Sequence, residues 1–433
     1  MTTTQIEAAA SSTAGLEFAA SITGVVHSVY QPVVRLSDRR TIGYEALARG
    51  PRGSRLERPD QLFATARGLG METALDWECQ RVALEGALAA GLGGGRTLFV
   101  NVEPASAGTP PPAGMAALLE RALERFPVVV ELTERALTAR PTELLRLVDK
   151  LRERGAQIAL DDVGTDPRSL ALMPFLSPEV VKLDLRLMQD SPSREIAEVV
   201  HAVNAEAERT GALVLAEGIE TEAHLRRALA LGATYGQGWL FGKPAPLPAA
   251  AEPEPELGGS AHPRIHRPAA SAQTPFEVVA AERSLRRGDK WLLLELSRSI
   301  EAQTANQGSA AVVLSTFQEA PYFTPPTARR YSDLSGRAAM VAALGVGLGH
   351  EPAPGVRGVS LDAAEPLRGE WDVTVLGPHF AAAFVARDLG DHGPDMERRF
   401  DFALTYDREL ATRAARSMMQ RVAAAAGDAA VHP

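Results

Sequence analysis

Cysteine is nearly absent. Cys79 stands alone among 433 residues, so no intrachain disulfide can form and nothing points to an oxidising compartment. Long apolar runs are missing as well: nowhere do the roughly eighteen consecutive apolar residues of a membrane span occur together, and no membrane insertion is expected. The stretch up to Phe18 has no basic start and is interrupted by Glu7 and Glu17, which removes the secretory-signal reading. The expectation is a soluble, cytoplasmic protein. Positive charge is also scarce, with 45 Lys and Arg against 54 Asp and Glu and a formal net charge of -9. Duplex nucleic acid, which is held by clustered cations, is therefore not an expected partner. His350 and His379 lack a second ligand at metal spacing, so no histidine-held metal is predicted.

The chain is too long for one ordinary core and suits two domains, one of them the size of a barrel of about 250 residues. Residues 1–21, rich in Ala, Ser and Thr, read as an N-terminal tail, and residues 426–433 as a C-terminal one. Between 249 and 274 the composition shifts to Pro, Ala and Glu, which reads as an extended linker. In the segment 22–248, short apolar runs at 25–34, 41–47, 97–102, 128–132, 157–161, 180–183, 213–216 and 234–238 predict strands. Amphipathic stretches at 71–90, 116–125, 141–154, 194–210 and 222–231 predict helices between them. This alternation fits an α/β fold, a (β/α)8 TIM-type barrel. The turn at Asp38-Arg39-Arg40 is too short for a crossover, so the first two strands should pair antiparallel. The segment 275–425 mixes predicted helices (291–303, 408–425) with strands (310–314, 340–346, 371–376, 382–385, 400–404), enough for a second, mixed α/β domain.

Polar residues close nearly every barrel strand: Glu45, Asn101, Glu131, Asp161 with Asp162, Lys182, Glu217 and Gln237. In this fold such positions converge on one face, where active sites are built. So many carboxylates cannot all stay ionised at close range, since each like-charged pair at about 4 Å costs roughly 4 kcal/mol at an effective dielectric near 20. Either some protonate or divalent cations lie between them. An oxygen-only ligand set favours Mg2+ or Mn2+ over zinc, and the Asp161-Asp162 doublet can serve two ions about 3.5–4 Å apart. Such a centre activates water against a phosphodiester. Blander readings stand beside this one: Lys182 paired with Asp161 or Asp162, Gln237 as a turn residue, Trp239 and Phe241 as packing groups.

Seven blocks in order, Tyr44-Glu45-Ala46-Leu47-Ala48-Arg49, Val100-Asn101-Val102, Glu131-Leu132-Thr133-Glu134, Asp161-Asp162-Val163-Gly164-Thr165, Val181-Lys182-Leu183-Asp184, Ala216-Glu217-Gly218-Ile219-Glu220-Thr221 and Gly236-Gln237-Gly238-Trp239-Leu240-Phe241-Gly242-Lys243-Pro244, resemble the EAL domain. The resemblance implies a phosphodiesterase that hydrolyses cyclic di-GMP to linear pGpG, working as a homodimer. It implies that Glu45, Asn101, Glu131 and Asp161 hold one metal, and that Asp161 and Asp162 serve a second. Lys182 and Glu217 would orient and deprotonate water, Arg49 would contact phosphate, Gln237 a guanine, and Glu134 would brace the loop after Asp162. That loop, Val163-Gly164-Thr165-Asp166-Pro167-Arg168-Ser169, departs from the family's Phe-Gly-Thr-Gly-Tyr-Ser-Ser, which keeps open a catalytically silent receptor for cyclic di-GMP. Farther on, Ser315-Thr316-Phe317-Gln318, Tyr322-Phe323-Thr324-Pro325-Pro326-Thr327, Arg329-Arg330-Tyr331 and Glu370-Trp371 resemble the DICT domain. That likeness implies a sensory module and a protein partner reached through it, while Phe317, Phe323, Tyr331 and Trp371 read equally as core aromatics.

Overall fold

The structure, a computed structural model, describes Phe18 and residues 26–103, 106, 109–133, 141–165, 169–191, 193–248, 273–307, 310–391 and 394–422. The expected tails (Phe18 apart), linker residues 249–272, Glu134 and Asp166-Pro167-Arg168 lie outside the described residues.

Eight strands close into a barrel in chain order: β1 (His27–Arg35), β2 (Thr41–Arg49), β3 (Thr97–Val102), β4 (Val128–Thr133), β5 (Gln157–Val163), β6 (Val180–Leu183), β7 (Leu213–Ala216) and β8 (Tyr235–Gln237). As the short turn required, β1 runs antiparallel to β2, and it is antiparallel to β8 also. All other neighbours are parallel. The outer ring consists of α1 (Pro59–Gly68), α2 (Glu72–Ala89), α3 (Met115–Leu123), α4 (Pro141–Glu153), α5 (Ser169–Leu176), α6 (Leu185–Gln189), α7 (Arg194–Thr210) and α8 (Glu222–Ala230). Where caps are sequence-encoded they form: Ser193 accepts from Ile196 N at the start of α7, and Thr221 from His224 N at the start of α8.

The barrel interior is filled by one buried side chain from each strand, Val33, Ile42, Phe99, Val129, Ala159, Val180, Leu215 and Tyr235. This plug fixes what lies above it. Side chains two apart on a strand share a face, so the next inward positions are Asn101, Glu131, Asp161, Lys182, Glu217 and Gln237. On the antiparallel β1 the equivalent step runs backwards, from Val33 to Gln31.

The second unit is a seven-stranded sheet in the order β12-β11-β10-β13-β14-β15-β9. Its strands are β9 (Arg286–Asp289), β10 (Val312–Glu319), β11 (Met340–Val346), β12 (Arg357–Leu361), β13 (Glu370–Leu376), β14 (Ala381–Asp388) and β15 (Arg399–Thr405). The β10–β11 and β11–β12 pairs are parallel, the rest antiparallel. Helices α9 (Pro275–Ala280), α10 (Lys290–Ala302), α11 (Pro325–Ser335) and α12 (Arg408–Met419) complete it. Phe317, Phe323 and Tyr331 meet edge to face with centroids 4.9–5.7 Å apart, and Trp371 packs on Phe384 and Phe400, so these aromatics serve the core.

The two units touch. Helix α12 packs against α5 of the barrel, where Arg416 donates to the Phe175 carbonyl at 3.1 Å and pairs with Asp149 of α4. Leu170 to Leu176 are all buried, leaving α5 no solvent face. Among the described residues no helix is long and apolar enough to cross a membrane.

Candidate active site

Lys182 is the hub. Its side chain is 1% exposed, and its Nζ lies 2.7 Å from Glu131, 2.8 Å from Glu217, 3.0 Å from Asp161 and 3.6 Å from Glu45. Five residues that reach across 172 positions of sequence thus become one cluster: Glu131, Asp161, Lys182 and Glu217 each stand two residues beyond a plug residue, and Glu45 lies in register with the inward Phe99 across β2–β3. Burial disfavours the ammonium, but the surrounding Asp161, Glu131, Glu217 and Glu45 outweigh it and hold the Lys182 pKa well above its ordinary value.

One lysine does not balance the carboxylates. Burial, together with the charges of Glu45 and Asp161, pushes the Glu131 carboxyl well up against the pull of Lys182. Burial likewise raises Glu217 to about 8, with Asp161 and Glu45 adding to it. Glu45 goes the other way. Burial raises it, but Lys182 and the amides of Gln237 and Asn101 together hold it below its ordinary value. Asn101 Nδ2 donates to Glu45 at 3.0 Å, and Gln237 Nε2 donates to the other Glu45 oxygen and to Gln31 at 3.0 Å.

Asp161 and Asp162 sit on a local irregularity. The β5–β6 register shifts between Leu160 and Val163, and Asp162 adopts a left-handed φ of 58°, a conformation that Asp tolerates better than most residues. Successive strand residues ordinarily face opposite ways. The bulge cancels that alternation, and both carboxylates come together with Glu217 so that one ligand atom from each lies within 4.8 Å of the others. That span is about twice a bond of roughly 2.0–2.6 Å from a hard cation to oxygen. Both Glu131 oxygens and Asp161 Oδ1 are buried with no aligned hydrogen-bond donor, Lys182 approaching at ionic distance only. An excess of anionic, oxygen-only, incompletely satisfied ligands fits divalent cations.

Glu45, Asn101, Glu131, Asp161, Asp162, Lys182, Glu217 and Gln237 come together in one neighbourhood. Arg49 lines a cavity of about 310 Å³ with Asn101; burial lowers its pKa against the pull of Glu57 and Glu45. Two expectations change. The Gln237 amide is spent on Glu45 and Gln31, leaving only its Oε1, which has no donor, for a ligand. Trp239 does not pack in the core but is 58% exposed with Lys243 over its ring at 4.6 Å. Sequence reasoning missed Gln31, which faces Glu45 across the β1–β2 ladder and donates to the Gly242 carbonyl at 3.1 Å. The available signal was a lone amide inside an otherwise apolar strand.

The EAL domain family matches residues 19–244, and the DICT family, described as a sensory domain in diguanylate cyclases and two-component systems, matches residues 277–389. Pseudomonas aeruginosa NbdA and RocR, both named cyclic di-GMP phosphodiesterases, are each 31% identical over 52% of this chain, covering 29% and 58% of their own lengths. The chain therefore spans less than two thirds of these relatives. Among solved structures, Klebsiella pneumoniae BlrP1 in its calcium and cyclic di-GMP complex is 27% identical with a TM-score of 0.46, over 52% of this chain and 57% of that one. The PaMucR phosphodiesterase in complex with c-di-GMP is 25% identical with a TM-score of 0.46, over 53% and 97%.

Proposed function

The chain belongs to the EAL domain family across residues 19–244, and from that premise we propose that it hydrolyses cyclic di-GMP to linear pGpG in a metal-dependent reaction. The observation that carries the proposal is the convergence of Glu45, Glu131, Asp161 and Glu217 on Lys182, with Asp162 turned into the same pocket. Such a carboxylate excess has little use in a structural core, where charge is costly, but serves a reaction at a phosphodiester.

On this reading Glu45, Asn101, Glu131, Asp161 and Asp162 would hold two ions, Mg2+ or Mn2+, whose chemistry is to acidify a water and draw electron density from the phosphoryl oxygens. Glu217, whose carboxyl burial raises and divalent cations beside it would lower again, takes the proton of the attacking water. Lys182 orients that water and offsets charge on the phosphoryl oxygens. The water oxygen bonds to phosphorus as the P–O3′ bond breaks, and a proton ends on the leaving 3′-oxygen, giving the 5′-phosphorylated dinucleotide. Arg49, beside Asn101, receives phosphate charge. Gln31 and Gln237 position Glu45, and Gln237 Oε1 remains for a guanine edge. The DICT-like unit, docked on α5 between the Asp161-Asp162 bulge and β6, supports a regulatory role for residues 275–422.

One observation favours the alternative, a receptor that binds cyclic di-GMP without hydrolysing it: Lys182 itself neutralises part of the cluster's charge. Incubating the protein with cyclic di-GMP and Mn2+ and following pGpG over time separates the two. The enzyme makes pGpG with Mn2+ and none with EDTA. Saturable binding in calorimetry without any pGpG leaves the receptor.

A further inference from the structure

A second cavity, of about 510 Å³, opens outside the barrel wall between α2, α3 and α4, within the range of small-molecule pockets, about 300–1,000 Å³. Its floor is the outward face of two strands. Val102, Val128 and Val130 alternate with Phe99 and Val129, which point into the barrel, and none of the three is more than 8% exposed. Leu119, Leu147 and Trp77 add further apolar lining from α3, α4 and α2. The catalytic pocket lies on the other side of β3, and none of its charged groups reaches this space.

The rim is of a different character. Arg146, Lys150 and Arg154 line the cavity from one stripe of α4 and the residue just beyond it, four positions apart, and outnumber Glu143, the one carboxylate among the described lining residues. All three are exposed, and none makes an ion pair among the described residues. Unpaired cations on a helix are ordinarily a solvated face. Here they edge a deep apolar space, so that a ligand filling it presents its end group to them. We propose that this cavity binds a long-chain carboxylate, a fatty acid whose chain lies along the valine floor and whose carboxylate meets Arg146, Lys150 and Arg154.

The lining argues against other occupants. A nucleotide needs donors and acceptors for its base, whereas the floor is valine and, of the polar lining residues, Gln80 is engaged with Asp76 and Thr109 with Trp77 and the Ser106 carbonyl. A neutral or cationic amphiphile buries the same chain but gains nothing from three cations. A single alkyl chain with an anionic end uses both halves of the site, and Arg and Lys meet carboxylates with charge-assisted hydrogen bonds.

Dodecanoate, titrated into the full-length protein below its micellar concentration, provides the probe. Binding is read by calorimetry and by tryptophan fluorescence, with Trp77→Phe identifying the reporter. One saturable site is expected. It weakens by about tenfold or more in the triple variant Arg146→Glu, Lys150→Glu, Arg154→Glu, whose exposed positions leave folding unchanged by circular dichroism and thermal midpoint. Dodecanol binds more weakly than dodecanoate by a similar factor, and Leu119→Trp, which fills the space, abolishes binding. Absence of saturable binding, equal affinity in the triple variant, equal affinity for dodecanol, or undiminished binding in a folded Leu119→Trp variant each overturns the proposal.

Discussion

Replacing Lys182 with methionine keeps most of the side-chain volume and removes the only cation that, among the described residues, pairs with Glu45, Glu131, Asp161 and Glu217. Removing one partner from a buried ion pair costs about 3–5 kcal/mol. For a domain of about 150–250 residues each kcal/mol moves the thermal midpoint by about 2–4 °C, so the barrel of Lys182→Met should melt ~6–20 °C lower in EDTA. Protonation of Glu131 and Glu217, whose carboxyls are already raised, relieves part of the repulsion and pulls the loss toward the lower bound. The deficit should therefore widen from pH 6 to pH 9, as that relief becomes harder to obtain. Divalent ions, binding only the folded carboxylate cluster, should return about 2.7 kcal/mol at a hundred times their dissociation constant. Scanning calorimetry of wild type and variant, in EDTA and in Mn2+ at both pH values, measures all of this. A variant that melts within about 2 °C of wild type in EDTA would show that the cluster does not depend on Lys182 for its charge balance.

Three other outcomes are expected. Asp76 in α2 is 2% exposed and burial pushes its carboxyl up to about 7, against about 3.9 unfolded; between those values the folded protein keeps a proton that the unfolded chain loses, so stability falls as pH rises through this window. Urea titrations should show wild type losing ~2–3 kcal/mol more from pH 5 to pH 8 than Asp76→Asn does, and an equal loss in the variant would assign the slope elsewhere. Glu217→Gln should lower kcat by about 10²–10⁴-fold while calorimetry shows cyclic di-GMP affinity little changed; retained turnover would remove Glu217 from the base role. Arg416→Ala loses the contacts to Asp149 and the Phe175 carbonyl, and hydrogen exchange across residues 170–176 should quicken by about tenfold or more, about 1.4 kcal/mol of local opening, whereas unchanged protection would mean that α12 is not what covers α5.

Barrel strands were legible because β-branched runs in the interior have few alternatives: β3, β6 and β7 begin and end where the sequence pattern places them. The site was legible for a related reason. A polar residue two positions after a plug residue stands out against an apolar run, as with Asn101 after Phe99 or Glu131 after Val129. What stayed hidden depends on partners that the local pattern does not contain. The bulge that turns Asp161 and Asp162 to one side is a property of β5 paired with β6. The strands β9 and β12 lie at the two edges of their sheet; β9, Arg-Arg-Gly-Asp, has no apolar residue to betray it, and β12 offers only Val359 and Leu361, too short an alternation to stand out. Helix α5, Ser-Leu-Ala-Leu-Met-Pro-Phe-Leu with Pro174 inside it, has no polar side and hence no amphipathic period to read. The linker composition suggested two separable units, whereas the described residues show them docked through that same helix.

A helix with no solvent face constrains how the two units can be recombined over evolutionary time. A barrel that carries α5 cannot be handed an arbitrary C-terminal module, because the replacement must bring its own apolar helix to lie on Leu170–Leu176 and a cation to meet Asp149. Loss of the module leaves an oily strip on the barrel that invites self-association. Gene fusion and domain exchange at this junction are thus filtered by a few side chains on α12, and the pairing of these two units would be inherited as one piece.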